Sequence, residues 1–319
     1  MNKVIAIKQK HQALQLTWVI NNICTNACSY CPSGLHDGKN HHYDWENARR
    51  FVTMLMDKYP LMNLSVAGGE PTVSPFLPEL VKMFYDRKNT ITITTNGARS
   101  ARYYTDLSKY VNSFSFSWHP SFEDPNFLEK ALAAAKNSLV NVRVMMDTRY
   151  WDHAVAFYTS LLKEKKVSVE PVRLQDWGTG TTLGRDYTTE QLEWFNHNHR
   201  RPAGLLTHLK HGGLYIGANY YYADGKVDKS GSDPINLINR QENDFRGWMC
   251  NIGLESLFVH WDGDIQRANC RQGNPRIIGN INNPELIQWP TAPEVCVQHE
   301  CHCATDVAIT KWDPTSYNP

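Results

Sequence analysis

The 319-residue chain has no apolar run that approaches the length needed to span a bilayer, which argues against a helical membrane protein. It also lacks an excess of either charge: 33 Lys and Arg against 32 Asp and Glu leave a formal net charge of +1. The densest basic run, Lys163 to Lys166, is short and reads as a solvated helix end, so the positive field that duplex nucleic acid requires is missing. No repeat, low-complexity tract or heptad pattern interrupts the chain, and its 41% hydrophobic content suffices for a substantial core. The first twenty residues have neither an uninterrupted apolar core nor a small-residue cleavage site, so a cytoplasmic protein is expected. In a reducing cytosol, eight cysteines point to metal ligands or core thiols rather than to disulfides.

What is present alternates between two periods. Strand-like runs fall at 15–22, 61–67, 90–96, 112–118, 141–146 and 167–174. Helix-like segments separate them. The clearest spans 45–58 behind an Asp44 N-cap, with Trp45, Ala48, Phe51, Val52, Leu55 and Met56 on one face. Others cover 76–88, 100–110, 125–137 and 151–164, and another starts at Thr189. Six strands alternating with helices predict βα units, a parallel sheet and right-handed crossovers. Periodicity alone leaves open whether the sheet is flat or curved, but in both cases ligand chemistry belongs at the C-terminal strand ends. Cys24, Gly68 and Asn96 each fall just beyond such an end. After residue 204 the composition shifts to Gly, Tyr, Asn and Asp, with a hairpin turn at Asp224-Gly225. The expected organisation is a core at 1–204, a connector at 205–245 and a small metal-stapled domain at 246–319.

Cys24, Cys28 and Cys31 lie within eight residues, and the next cysteine is Cys250. Four thiolates close a metal site, whereas three leave one position open. An iron–sulfur cluster with an open iron, a zinc site and chance core thiols are the readings this spacing allows.

Cys24-x3-Cys28-x2-Cys31, with the aromatic Tyr30 before the last cysteine and the first barrel strand before the loop, resembles the signature of the radical S-adenosylmethionine superfamily. The resemblance implies a partial (β/α)6 TIM-like barrel and a [4Fe–4S] cluster whose fourth iron is chelated by S-adenosylmethionine. It further implies reductive cleavage to a 5′-deoxyadenosyl radical that abstracts substrate hydrogen. Supporting positions follow. Gly68-Gly69-Glu70-Pro71 resembles the motif whose glycine backbone and glutamate hold the cofactor's ammonium; alone it is an ordinary turn. Thr95 and Asn96 match a cofactor-lining turn. Ser117 fits a Ser-x-Asp pattern in which His119 stands where relatives carry Asp. Arg143, within a mostly apolar strand, needs an anionic partner, and the cofactor carboxylate is one candidate beside an ordinary ion pair. The histidines at 41–42 and 197–199 lack spacing partners and read as solvated.

Five cysteines crowd the C-terminal region. Cys250 and Cys270 bracket two strands joined by Asp262-Gly263, so a hairpin brings them together; Cys296, Cys301 and Cys303 follow. A structural zinc site is the plain reading. Trp248 to Cys303, including residues 279–282, resembles the twitch domain, a shortened SPASM domain, which implies a C-terminal cysteine-rich β-hairpin domain holding an auxiliary [4Fe–4S] cluster. Six residues separate Gly263 from Cys270 where four are usual, and one of the five cysteines is in excess. Cys250 and Cys270 are the expected ligands, with two of the other three.

The functional expectation is a radical enzyme acting on a small molecule or nucleotide in preference to a peptide, supplied with electrons by a donor such as flavodoxin or ferredoxin. Trp177 and Arg185, in a glycine-rich loop, are candidate substrate contacts. A non-catalytic zinc or iron–sulfur protein is the alternative, and methyl transfer ranks below it. No residue is assigned as catalytic.

Overall fold

Strict alternation builds the central sheet. Leu14, Leu16 and Trp18, then Met62, Leu64 and Val66, then Phe114, Phe116 and Trp118 are all buried, and they pack with the helices in one core. The residues between them carry hydroxyl, amide or charged groups, so the sheet has one apolar and one polar face.

The computed structural model describes residues 3–38, 43–176, 181–184, 187–198, 217–229, 234, 237–238 and 240–317. Its main sheet contains β2 (Leu14–Val19), β3 (Met62–Ala67), β4 (Thr90–Thr95), β5 (Ser113–Trp118), β6 (Leu139–Met145) and β7 (Ser168–Val172), all parallel and in chain order. Helices α1 (Trp45–Lys58), α2 (Leu77–Asp86), α3 (Ala101–Leu107), α4 (Phe127–Ala134) and α5 (Trp151–Leu161) connect them. Right-handed crossovers in unbroken chain order place every helix on one face. A sheet so covered curls around its bare face, an arrangement consistent with a partial barrel rather than a doubly wound sheet. Helix α1 begins where expected: Asp44 accepts from the Glu46 amide at 2.8 Å, and Ala48, Phe51, Val52 and Leu55 are buried. None of the described helices is long and apolar enough to cross a membrane.

Two pairings cross the expected boundaries. The hairpin of β13 (Ser256–Val259) and β14 (Asp264–Gln266) is formed as expected, but it is not a separate layer. β13 pairs in parallel with β2, Ser256 opposite Gln15 through Val259 opposite Trp18, and β15 (Ile277–Asn280) follows on β14. Otherwise β2 would be an open edge with unpaired backbone groups. Gly263 turns the hairpin at φ +90, where a side chain would also stand 2.9 Å from Asn280 Oδ1.

β1 (Val4–Gln9), a segment in which the sequence reading placed no strand, also leaves the expected core. It lies between β10 (Ala218–Tyr222) and β17 (Lys311–Trp312), in a second sheet with β11 (Val227–Asp228), β12 (Met249–Cys250) and β16 (Glu294–Val295). A small ribbon of β8 (Gln175–Asp176) and β9 (Thr181–Gly184) stands apart, followed by α6 (Thr189–Asn198). Trp177, Arg185, the histidines at 41–42 and His199 lie outside the described residues.

Candidate functional site

The loop leaving β2 carries Cys24, Cys28 and Cys31, and its geometry is fixed by the loop leaving β3. The Gly69 amide donates to Asn21 O at 2.9 Å, the Glu70 amide to Ile23 O at 2.6 Å, and Asn21 Nδ2 to Glu70 O at 3.0 Å. A Cβ on Gly69 would stand 2.3 Å from Ile23 O and 2.5 Å from Leu35 O, both backbone atoms. Gly69→Ala is therefore expected to push the cysteine loop away and to cost about 1–3 kcal/mol. The check is a lowered melting temperature together with reduced iron retention after reconstitution.

All eight cysteines are free. Burial and their mutual charge push the thiols of Cys28 and Cys31 up to about 11, and burial raises Cys24 as well. Reactive thiols sit in electropositive surroundings that lower their pKa. These three have the reverse setting and suit ligands that a cation deprotonates on binding.

His119, at the end of β5, reaches the same loop. Its Nδ1 lies 2.6 Å from the Tyr30 hydroxyl and 3.4 Å from Cys28 Sγ. Burial, with the Arg143 charge second, lowers its pKa to about 4, so the ring is neutral. Tyr30 is held protonated by burial, and its hydrogen bond with Nδ1 runs in either direction according to the imidazole tautomer. Asn96 Nδ2 donates to Thr25 Oγ1 at 3.0 Å and approaches Cys24 Sγ at 3.6 Å. Ser117 and Arg143 face each other in register on β5 and β6, on the bare side of the sheet.

Glu70 has a structural role beside its expected one. Its side chain is completely buried. Oε1 accepts from the Thr72 amide, the Thr72 hydroxyl and the Thr95 hydroxyl at 3.0, 2.6 and 2.7 Å; Oε2 accepts from the Asn96 amide at 2.6 Å. Glu70 thus latches the β3 loop to the β4 loop, with Pro71 opening the short turn behind it. Thr95 serves the latch and also meets Tyr104 OH at 3.0 Å. The sequence reading missed Thr72, Tyr104 and Arg149; the last donates to Ser29 Oγ at 2.7 Å from the far side of the cysteine loop.

The second cysteine set converges on one cavity beneath the smaller sheet. Cys250, Cys270, Cys296 and Cys301 line it, with Phe245, Ile252, Gln272, Asp306 and Lys311. Cys303 does not: it starts the short helix Ala304–Ala308, and its Sγ accepts from Asn269 Nδ2 at 3.1 Å. Backbone bonds seat the others, with the Cys296 amide on Trp248 O at 2.8 Å and the Cys301 amide on Asn243 O at 2.9 Å. Lys311 is 1% exposed; its ammonium donates to the carbonyls of Asp306, Val307 and Ile309 at 2.5, 2.9 and 3.0 Å. A fixed cation at a thiol-lined cavity complements an anionic occupant. Among the described residues, no three His, Cys, Asp or Glu side chains stand close enough to share a single metal ion.

A partial barrel with three free thiols in the loop after its first parallel strand is the framework of the site. Residues 18–150 match the model of the Radical SAM superfamily. The fold is similar to that of anSMEcpe solved with bound AdoMet and Cp18Cys peptide, at 15% identity, TM-score 0.52, and 85% and 78% coverage of this and that chain. It is also similar to Streptococcus suis SuiB, at 15% identity, TM-score 0.51, and 85% and 64% coverage. No curated protein sequence matches the chain.

Proposed function

We propose that the protein cleaves S-adenosylmethionine reductively and removes a hydrogen atom from a small-molecule substrate. The observation that carries this reading is the convergence of Cys24, Cys28 and Cys31 with the β3 and β4 loops and His119 at one end of the sheet. Three soft thiolates at one strand end fit a [4Fe–4S] cluster with one open iron. Three thiols in one loop without a second pair nearby favour such a cluster over a four-ligand zinc site. A cluster held there would supply the electron for cleavage of S-adenosylmethionine. The chain would supply the binding: the Gly68 and Gly69 backbone, Asn96, Ser117 and Arg143 would line the cofactor site, and the neutral His119 would offer its imidazole for hydrogen bonding. Glu70 would position the glycine pair alongside its expected contact to the ammonium.

The C-terminal cavity suits an auxiliary [4Fe–4S] cluster held by Cys250, Cys270, Cys296 and Cys301, in the manner of a twitch domain. With four protein ligands it has no vacancy for substrate, so an electron relay fed by a flavodoxin- or ferredoxin-like donor is its role. Free cysteines throughout fit a reducing, cytoplasmic setting. The anSMEcpe structure holds a peptide, but the polar inner face here favours a small molecule.

Anaerobic reconstitution with iron and sulfide, then dithionite and S-adenosylmethionine, is expected to yield 5′-deoxyadenosine by chromatography. A fully loaded protein that forms none, or one that takes up stoichiometric zinc without labile sulfide, overturns the proposal.

A further inference from the structure

The bare face of the sheet has a lining unlike that of a closed (β/α)8 barrel, where bulky Val, Ile and Leu fill the interior. Register aligns Phe258, Thr17, Ser65, Thr92 and Ser113 in one row from β13 to β5. Thr94, Ser115, Asn141 and Ser168 form the next row, and Ser117, Arg143 and Glu170 the one nearest the cysteine loop. Small side chains in successive rows leave the interior open.

Part of this lining satisfies itself. Thr92 meets Ser113 at 2.8 Å, and Asn141 bridges Glu170 and Ser168 at 2.9 Å each. The hydroxyls of Thr17, Ser65, Thr94 and Ser115 have no partner among the described residues, and all four residues are half-buried. Gln266 stands in register with Phe258 on the same face. It is 6% exposed, and its Oε1 has no partner; the same holds for Oδ1 of Asn63, 4% exposed, one row below Ser65. Buried acceptors without donors are rare in native proteins, and each calls for a donor such as water or a bound ligand.

We infer that this inner face binds a small, uncharged, multiply hydroxylated substrate of the sugar or cyclitol type. The inference rests on the radical chemistry proposed for the strand ends above it. Each Ser and Thr both donates and accepts, so hydroxyl groups reciprocate them in either sense, and O–H donors satisfy Gln266 and Asn63. Arg143 and Glu170 are the only charges in these rows and sit opposite each other in register. A phosphorylated nucleotide finds no cluster of cations there. An extended peptide held by its side chains needs apolar pockets, and Phe258 is the one apolar residue in these rows.

Saturation-transfer NMR on the full chain, with glucose, N-acetylglucosamine and myo-inositol as probes, tests the inference; adenosine monophosphate and tetra-alanine serve as comparators. At least one polyol is expected to bind saturably. Thr17→Val combined with Ser65→Ala, and separately Ser115→Ala, should each weaken it at least tenfold while circular dichroism stays unchanged. Failure of every polyol to bind a protein that does form 5′-deoxyadenosine overturns the substrate class and leaves the radical chemistry standing. Equal binding by the variants, or binding by a comparator alone, also overturns it. Polyol binding without any 5′-deoxyadenosine supports the pocket and removes the proposed chemistry.

Discussion

Cys301→Ala is expected to halve the iron and labile sulfide retained after anaerobic reconstitution, whereas Cys303→Ala leaves both unchanged. The two thiols are two residues apart, Cys301 buried and Cys303 half-buried, and burial raises the pKa of both, so it does not separate their roles. What separates them is direction. Cys301 lines the cavity with Cys250, Cys270 and Cys296, while Cys303 is turned to Asn269 and the short helix behind it. Removing a ligand from a four-thiolate set opens the cluster to solvent and to loss of iron. Removing Cys303 leaves one neutral amide to find another acceptor, at about 1–3 kcal/mol. Iron and sulfide assays with electron paramagnetic resonance of the reduced protein read the result. Equal loss in both variants would show that the ligand set is not the one the cavity defines.

The second large effect concerns Glu70. Glu70→Ala removes the acceptor of four hydrogen bonds and strands the amides of Thr72 and Asn96 and two hydroxyls in a site without water. An ionised acceptor in such a setting is worth about 3 kcal/mol or more, a large share of a typical domain's stability. Glu70→Gln keeps the shape but sets an NH2 group against the Asn96 amide, so it loses one bond and gains one donor–donor contact. The melting temperature is expected to fall in the order wild type, Gln, Ala. Iron occupancy of the first site should fall with it, because the same loop seats Ile23 beside Cys24. A variant that keeps its stability and iron but binds S-adenosylmethionine far more weakly would assign Glu70 to cofactor contact alone.

Much of this was legible in the sequence, for identifiable reasons. The six parallel strands and their helices follow from local periodicity, and each observed element begins and ends within a few residues of its expected span. The meeting of Cys250 and Cys270 was legible because Asp262-Gly263 fixes a hairpin and hence the nearness of its outer ends. The turning of Cys303 away from the cavity was not, because it depends on Asn269 and a helix of five residues. Two of the four hydrogen bonds to Glu70 come from Thr95 and Asn96, in a loop 25 and 26 residues away, and no local pattern announces them. The polar inner face was written plainly in the alternations of 90–95 and 113–118, but alternation had been read only as a sign of strand. β13 beside β2 is a pairing across more than two hundred residues, beyond any periodic signal.

The place of β1 has a consequence for the order of assembly. Ala6 pairs with Trp312 on one side and Tyr221 on the other, so this strand cannot be docked until residue 312 has left the ribosome. The three-cysteine loop and its parallel strands are synthesised long before that. The first cysteine loop is thus in place while the chain is still emerging, whereas the second cavity, bounded by Lys311 of the late strand, closes only once that strand has emerged. The two cysteine sets are in this way assembled in sequence, with the order set by chain topology.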